Sequence, residues 1–377
     1  MTDTITAARP VQTRFQPSYR VSRERLIAGA RALAPRHGVL IDSRSLTERG
    51  PDGETLALDF VMFGARRPRH AFVLSSGTHG VEGFTGSAFQ HHLLEEVLPR
   101  LRLGPDTAIV IQHANNPYGF AWLRRVNENN VDFNRNFRDR FDVDQCSPDY
   151  EAMYDAINPP DLDPDNEQQR QQRMQAFIAE QGFRRFQAML TEGQYKYPRG
   201  LQFGGQQQQP GVRHLLSLVK THLVQAETVI WLDVHTGLGE SGACELITGA
   251  PVDHPCYLFG NEVWGGKVKS ATAGESLSVP LKGMMDMGLV PLFAPTTRFT
   301  CVAPEYGTHP PPVVLGALRA DNWLQHHGRP GDAAAQRIKA DLMEAFKPAS
   351  PEWEQQVMAS GAELIDQALR HLPGVVR

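Results

Sequence analysis

Short apolar runs alternate with longer stretches of helical spacing along most of this chain. The apolar runs at residues 71–74, 107–113 and 228–234 are each bounded by polar or turn-forming residues, which predicts buried strands. Residues 22–37 and 84–98 instead repeat apolar positions at the spacing of a helix. Strands that alternate with helices predict an α/β fold in which a mixed, mostly parallel twisted sheet carries helices on both faces.

The same patterns predict further elements along the chain. Additional strands are predicted over residues 39–43, 56–63, 244–248 and 298–303. Additional helices are predicted over residues 313–326, 333–346 and 351–372. Because no internal repeat and no clear linker separates these elements, we interpret residues 1–377 as a single domain.

Two segments depart from this pattern. Residues 1 to about 20 are polar and predict a loosely held N-terminal arm. Residues 138–210 are dense in Asp, Gln and Arg, and within them residues 167–190 predict one or two amphipathic helices. We interpret this second segment as an insertion that packs over one edge of the sheet, either as a lid or substrate wall or as a surface excursion without a role.

Composition and charge exclude several classes of protein. The net charge of −4 and pI near 6.4 give no electrostatic reason to expect a nucleic acid or an anionic membrane as partner. The four cysteines form no Cys-x-x-Cys pair, which argues against a disulfide framework. No apolar signal core is present at the start and no later run is long enough for a membrane span, so we expect a cytoplasmic protein.

Candidate chemistry collects where the predicted strands end. His79 and Glu82 lie on a Gly-rich loop directly after the strand at 71–74. His235 follows the strand at 228–234, and Glu305 follows the strand at 298–303. Open α/β sheets place their sites at the carboxyl ends of parallel strands, so we expect these side chains to lie together. Two histidines and one carboxylate with an open fourth position form a catalytic zinc arrangement.

A third group of polar residues lies in the segment 116–137. Asn134 and Arg135 are suited to hold a carboxylate, because a guanidinium donates two parallel hydrogen bonds and the amide adds another. Arg125 and Asp132 lie in the same short span among apolar positions.

These motifs, in this order and spacing, resemble the zinc carboxypeptidase (M14-like) superfamily. The resemblance is carried by His79-Gly80-Val81-Glu82, Asn116-Pro117-x-Gly119, Arg125-x-Asn127, Asp132-x-Asn134-Arg135-Asn136-Phe137, His235 and Glu305. The versions Ser-Gly-Thr-His-Gly-Val-Glu-Gly at 76–83 and Glu-Tyr-Gly-Thr at 305–308 are most similar to its DUF2817 branch. That branch is related to the succinylglutamate desuccinylase and aspartoacylase deacylases, and the resemblance covers about residues 60–140 and 200–325.

The resemblance implies a carboxypeptidase-like fold with one zinc ion per chain. His79, Glu82 and His235 would be the metal ligands. Asp132 would orient a zinc-bound histidine from outside the ligand set.

The resemblance also implies roles in catalysis and substrate binding. Glu305 would be the general base, and Arg125 would polarise the scissile carbonyl. Asn134 and Arg135 would hold a substrate carboxylate.

One family feature is missing from the sequence. Digestive-type carboxypeptidases carry a substrate-covering tyrosine shortly before the base, whereas residues 283–303 contain none, and Tyr257 and Tyr306 are poor positional matches. Substrate selectivity would then depend on the insertion and on a Met-rich wall. That wall comprises Met284, Met285, Met287 and Leu289.

Three functions are compatible with these observations. We predict a zinc hydrolase that cleaves an amide bond next to a free carboxylate, a metallocarboxypeptidase acting on small-molecule or short-peptide substrates. The alternative enzyme is a deacylase of N-acyl amino acids. The alternative of another class is a catalytically inactive binding module, which is disfavoured because the ligands, Arg125 and Glu305 are all present. The absence of a Gly-x-Ser-x-Gly elbow disfavours a serine hydrolase.

Overall fold

A computed structural model describes residues 14–329 and 331–377 of the chain. Most of the predicted arm lies outside the described residues, and the first helix begins at Tyr19. This helix starts where Ser18 accepts a hydrogen bond from the amide of Val21, and it ends at Gly38, whose φ of 65° suits glycine.

A mixed nine-stranded sheet forms the centre of the molecule. The strands of the described chain are β1 (Val39–Arg49), β2 (Thr55–Gly64), β3 (His70–Ser75), β4 (Arg102–Leu103), β5 (Thr107–His113), β6 (Thr228–Asp233), β7 (His235–Ser241), β8 (Cys244–Thr248), β9 (Val268–Ser270), β10 (Arg298–Gly307) and β11 (Val375–Val376). Their order in the sheet is β1-β2-β5-β3-β6-β10-β8-β9, with β7 paired to β10, while β4 and β11 form a separate antiparallel pair.

The central strands run parallel, as the sequence predicts. β5, β3, β6 and β10 pair in parallel, whereas β2 joins β1 and β5 antiparallel and β8 joins β10 antiparallel. Every residue of β5 and β6 is buried, which is typical of strands that are covered on both faces. The predicted mixed, mostly parallel sheet is confirmed. β10 is longer than predicted, because it continues through Pro304 to Gly307 and so contains Glu305.

Helices cover both faces of this sheet. The helices of the described chain are α1 (Tyr19–His37), α2 (Gly83–His92), α3 (Pro117–Ala121), α4 (Pro148–Ala152), α5 (Tyr154–Ile157), α6 (Pro164–Gln181), α7 (Phe183–Thr191), α8 (Pro210–His222), α9 (Pro255–Val263), α10 (Met285–Leu289), α11 (Pro311–His327), α12 (Ala333–Phe346) and α13 (Pro351–His371). α1, α2, α9 and α13 pack on one face, and α8 and α10 pack on the other. None of the described helices combines the length and apolar character that a membrane span requires.

The segment 138–210 contains α4 to α7, which build a small apolar cluster of their own around Tyr150 and Phe186. The predicted helical stretch at 167–190 is two helices, α6 and α7, separated at Gly182 with a φ of 86°. The cluster also contacts Leu315 and Leu318 on α11, so α11 anchors this segment.

Two buried histidines predict that the fold loses stability in acid. Burial lowers the pKa of both His91 and His113 to about 3. An unfolded histidine takes up a proton near pH 6.5, so each contribution to stability is complete above that pH and is lost as the pH falls towards 3. We expect His113→Gln to reduce the dependence of the unfolding free energy on pH between 6.5 and 5 by up to about 1.4 kcal/mol per pH unit, the full value being reached towards pH 5. Urea unfolding of both proteins over this range measures the difference, and an unchanged slope would contradict it.

Candidate active site

The parallel strands bring the predicted site residues to one edge of the sheet. β3 leads into the loop that carries His79, and a single 3₁₀ turn, Gly80–Glu82, connects this loop to α2. Gly80 has no room for a side chain, because a Cβ there would lie 2.0 Å from the carbonyl carbon of Gly119. The close approach of these two glycine backbones keeps His79 and Glu82 on the same side of the turn.

Three donor groups converge at this edge. Nδ1 of His79 lies 2.9 Å from Oε1 of Glu82, and Nδ1 of His235 lies 2.9 Å from Oε2 of the same carboxylate. The two Nδ1 atoms are 3.2 Å apart, and all three side chains are buried. Four-coordinate zinc with bonds of about 2.0–2.1 Å places neighbouring ligand atoms roughly 3.3 Å apart. The donor set and its spacing therefore fit one zinc ion.

Two aspartates orient the imidazole rings. Oδ1 of Asp132 lies 3.1 Å from Nε2 of His79, and Oδ2 of Asp233 lies 2.8 Å from Nε2 of His235. Each carboxylate favours the tautomer in which Nε2 carries the proton, and that tautomer leaves the lone pair of Nδ1 turned towards the cluster. The hydroxyl of Thr78 donates to Asp233 at 2.8 Å and holds this second carboxylate in place.

Opposite charges shift the pKa values within the cluster. Burial favours protonation of Glu82, but His79 and His235 outweigh it and hold the pKa of Glu82 below its ordinary value. Burial alone would lower the pKa of His235, whereas Asp233 and Glu82 raise it well above its ordinary value. For Asp132, the effect of burial is outweighed by His79 and nearby arginines, and its pKa lies well below the usual range. The cluster is thus rich in anionic groups and attracts positive charge.

Arg125 supplies part of that positive charge. Its Nη1 donates to Oε1 of Glu82 at 2.9 Å, and its Nε donates to Oδ2 of Asp132 at 3.3 Å. Its Nη2 lies 2.8 Å from Nε2 of His79. The guanidinium therefore lies directly beside the three donor groups.

Glu305 lies on the neighbouring strand. It pairs with His235 across β10 and β7, and its Oε1 accepts a hydrogen bond of 3.1 Å from the amide of Leu238. Burial, followed by the nearby charge of Glu82, raises the pKa of Glu305 to about 8. A carboxylate with this raised proton affinity is suited to accept a proton near neutral pH.

Asn134 and Arg135 face different surroundings. Asn134 borders a small cavity beside His235, and its Oδ1 accepts a hydrogen bond from the amide of Met285. Arg135 is 2% exposed and donates from Nε and Nη2 to the carbonyl of Thr191, at 3.0 and 2.7 Å. That carbonyl takes the two donors that a carboxylate would use. To hold a carboxylate in the predicted way, Arg135 must exchange the carbonyl of Thr191 for it.

The cavity beside His235 includes part of the predicted Met-rich wall. Besides His235 and Asn134, its lining includes Asp233, Met284, Met285 and Asp286. Neither tyrosine considered from the sequence contacts the cluster, because the hydroxyl of Tyr306 contacts Ser360 and that of Tyr257 contacts Glu275.

Sequence reasoning did not assign Asp233 a role. Asp233 and His235 are two residues apart at the junction of β6 and β7, and such residues share a face of extended chain. The Asp-x-His spacing was therefore a usable signal for a carboxylate that orients a metal-binding histidine.

Comparisons with known proteins agree with this fold. The family model described as "Protein of unknown function (DUF2817)" matches residues 15–360, which confirms the resemblance noted from the sequence. No curated protein matches the chain. Carboxypeptidase A from Helicoverpa armigera is similar in structure, with a TM-score of 0.51 and 12% identity, over 94% of this chain and 72% of that chain.

Two further solved structures show a weaker similarity. A metallocarboxypeptidase from Pseudomonas aeruginosa, solved with (2-guanidinoethylmercapto)succinic acid, has a TM-score of 0.41 and 14% identity over 94% of this chain and 71% of its own. A succinylglutamate desuccinylase from Silicibacter sp. TM1040 has a TM-score of 0.37 and 13% identity over 77% of this chain and 67% of its own. At these identities the likeness concerns the fold alone.

Proposed function

The chain belongs to the DUF2817 family, and on this premise we propose that it is a zinc-dependent hydrolase that cleaves an amide bond next to a free carboxylate. The observation that carries the proposal is the convergence of two imidazole Nδ1 atoms and the Glu82 carboxylate within 3.2 Å of one another. Electron-rich groups buried at this spacing are stable when a cation lies between them.

His79, Glu82 and His235 would hold the ion, with Asp132 and Asp233 keeping both rings in the metal-binding tautomer. Zinc bound there would lower the pKa of a coordinated water to about 7 and polarise the substrate carbonyl.

The neighbouring side chains would move the proton and stabilise charge. Glu305 would take the proton of the attacking water and pass it to the leaving amine, which its raised pKa of about 8 favours. Arg125 would donate hydrogen bonds to the carbonyl oxygen as negative charge develops there. Losing a single donor of this kind costs about 3–4 kcal/mol in comparable sites.

The substrate would be a small molecule or short peptide with a free carboxylate, and a panel of substrates tests this. We propose peptidase activity first, so release of a free amino acid should persist when the acyl side is lengthened from a simple acid to a dipeptide. Turnover of simple N-acyl amino acids alone would instead favour the deacylase. A protein that binds no zinc and remains inactive after zinc is added back would favour the inactive binding module.

The role of Arg135 is tested with matched substrates that carry a free or an amidated carboxyl group. If Arg135 exchanges the carbonyl of Thr191 for the substrate carboxylate, Arg135→Ala should raise KM about tenfold or more for the free-carboxylate substrate only. The side chain of Arg138 stacks on Tyr195 and donates to Gln145, so Arg138→Ala is the control and should leave KM unchanged. An equal increase in KM for both substrates would mean that Arg135 does not bind the substrate carboxylate and only holds the carbonyl of Thr191.

A further inference from the structure

An ionic triad of Arg124, Asp321 and Lys339 lies behind the candidate site, on the side of α11 and α12. Arg124 donates from Nε to Oδ2 of Asp321 at 3.1 Å, and Nζ of Lys339 donates to Oδ1 of the same carboxylate at 2.5 Å. Arg124 and Asp321 are only 2% and 4% exposed. Nη2 of Arg124 also donates to the side chain of Asn130 at 3.0 Å. The triad therefore holds the arginine that directly precedes Arg125.

The triad is connected to the backbone on which Arg125 is mounted. Besides Asp321, Nζ of Lys339 donates to the carbonyl of Leu123 at 3.1 Å. The segment 123–125 is thus held at the Leu123 carbonyl by α12 and at the Arg124 side chain by α11. Since Arg125 follows at once, these contacts restrict where its guanidinium can lie.

The same segment supports the loop between the candidate ligands His79 and Glu82. The amide of Gly80 donates to the carbonyl of Arg125 at 3.0 Å, and the amide of Val81 donates to the carbonyl of Arg124 at 2.9 Å. Gly80 and Val81 form the turn that separates the candidate ligands His79 and Glu82. A shift of the segment 123–125 would therefore move the turn as well as Arg125.

An apolar contact joins α11 and α12 to the same turn. The side chain of Val81 packs among residues of both helices. These are Val314 and Ala317 on α11 and Leu342, Ala345 and Phe346 on α12. The two helices thus hold the turn through its apolar side chain and, through the triad, by its backbone.

We propose that Asp321 is a positioning residue, which uses Arg124 and Lys339 to hold both Arg125 and the turn between His79 and Glu82 in place. Asp321 touches neither the donor groups nor the cavity beside His235, so it acts entirely through these intermediates. The expected effects on zinc binding and on kcat rest on the proposed function, whereas the expected effect on the rigidity of the turn does not.

Asp321→Asn keeps the shape of the side chain and removes its charge, which leaves the buried Arg124 and the partly exposed Lys339 without a carboxylate. In the metal-free protein, we expect the amides of Gly80 and Val81 to exchange with deuterium about tenfold faster, because their acceptors are less firmly held. Zinc binding by the wild-type protein and by Asp321→Asn is then compared by competition with a chelator. We expect Asp321→Asn to weaken it about tenfold, the lower end for residues outside the ligand shell.

Glu167→Gln is the matched control. Glu167, on α6, accepts hydrogen bonds from Nη1 and Nη2 of Arg319, which lies on α11 like Asp321 and is 4% exposed. This pair joins α11 to α6 and not to the turn between His79 and Glu82. The control should lose stability without changing exchange in the turn or zinc affinity. If Asp321→Asn does not fold, Lys339→Met removes one contact to Asp321 and the contact to Leu123 and should give a smaller change in the same direction.

The outcomes separate this inference from the proposed function. If Asp321→Asn leaves exchange at Gly80 and Val81 like that of Glu167→Gln, the positioning role is wrong, whatever the protein catalyses. If exchange rises as expected but the wild-type protein neither binds zinc nor hydrolyses amides, the positioning role holds and the proposed function fails. If both hold, Asp321→Asn should also lower kcat more than Glu167→Gln does.

Discussion

Glu305→Gln is expected to lower kcat by about 10²–10⁴-fold while the protein keeps its fold and its zinc. The amide of glutamine has nearly the shape of the carboxylate and can still accept the hydrogen bond from the amide of Leu238, but it cannot take a proton from water. The neutral amide avoids the burial of a charge and the repulsion from Glu82 that together raise the pKa of Glu305 to about 8, so the variant should keep the stability of the wild type. Release of a free amino acid measures kcat, and elemental analysis measures the zinc content.

The control for this experiment is Glu245→Gln. Glu245 pairs with Glu305 across β8 and β10, but its carboxylate is bound by Ser276, the amide of Leu277 and Lys269. Losing this charge should change kcat little. Comparable losses in the two variants would mean that Glu305 acts through the general charge of this region and is not the base.

His79→Ala is expected to remove bound zinc and activity together. The wild-type protein should contain about one zinc ion per chain, since among residues 14–329 and 331–377 a single set of three donors fits a four-coordinate ion with one open position. With His79 removed, only Glu82 and His235 remain, and two ligands do not retain zinc against a chelator. Elemental analysis after gel filtration, together with thermal unfolding, distinguishes the loss of a ligand from the loss of the fold.

His309→Ala serves as the matched histidine control. Nε2 of His309 contacts Glu344, away from the three donor groups, so this variant should keep both zinc and turnover. Stoichiometric zinc in His79→Ala would contradict the ligand assignment. It would also remove the main support for a metallohydrolase.

Local pattern was sufficient for the main elements of this fold. The boundaries of β5 and β8 match the predicted ranges, because short apolar runs bounded by polar residues are buried wherever they pair. β10 was predicted too short, since Pro304 interrupts the apolar run although the strand continues beyond it. β10 is extended because Glu305 pairs with His235 on β7 and with Glu245 on β8. This pairing depends on the position of the neighbouring strands, which the local sequence of β10 does not show.

The meeting of the site residues also followed from a general rule, because the carboxyl ends of parallel strands share an edge. His79, Glu82, His235 and Glu305 lie together as that rule predicts. Arg125, which the family resemblance indicated, lies beside them. The rule places side chains near one another but does not state which atoms face which partner. The orientation of Arg135 towards Thr191 depends on where the segment 138–210 folds back, and no periodicity in the sequence encodes that.

By itself, the sequence determined the fold class, the approximate bounds of its elements and the group of candidate residues that the fold brings together. These properties follow from the spacing of apolar residues and from the succession of strands and helices, both of which can be read from the sequence. Only the tertiary structure decided that Asp233 orients His235 and that Asp321 lies behind Arg124. The second of these contacts joins residues almost two hundred positions apart, and its existence depends on how whole helices pack against the loops of the site.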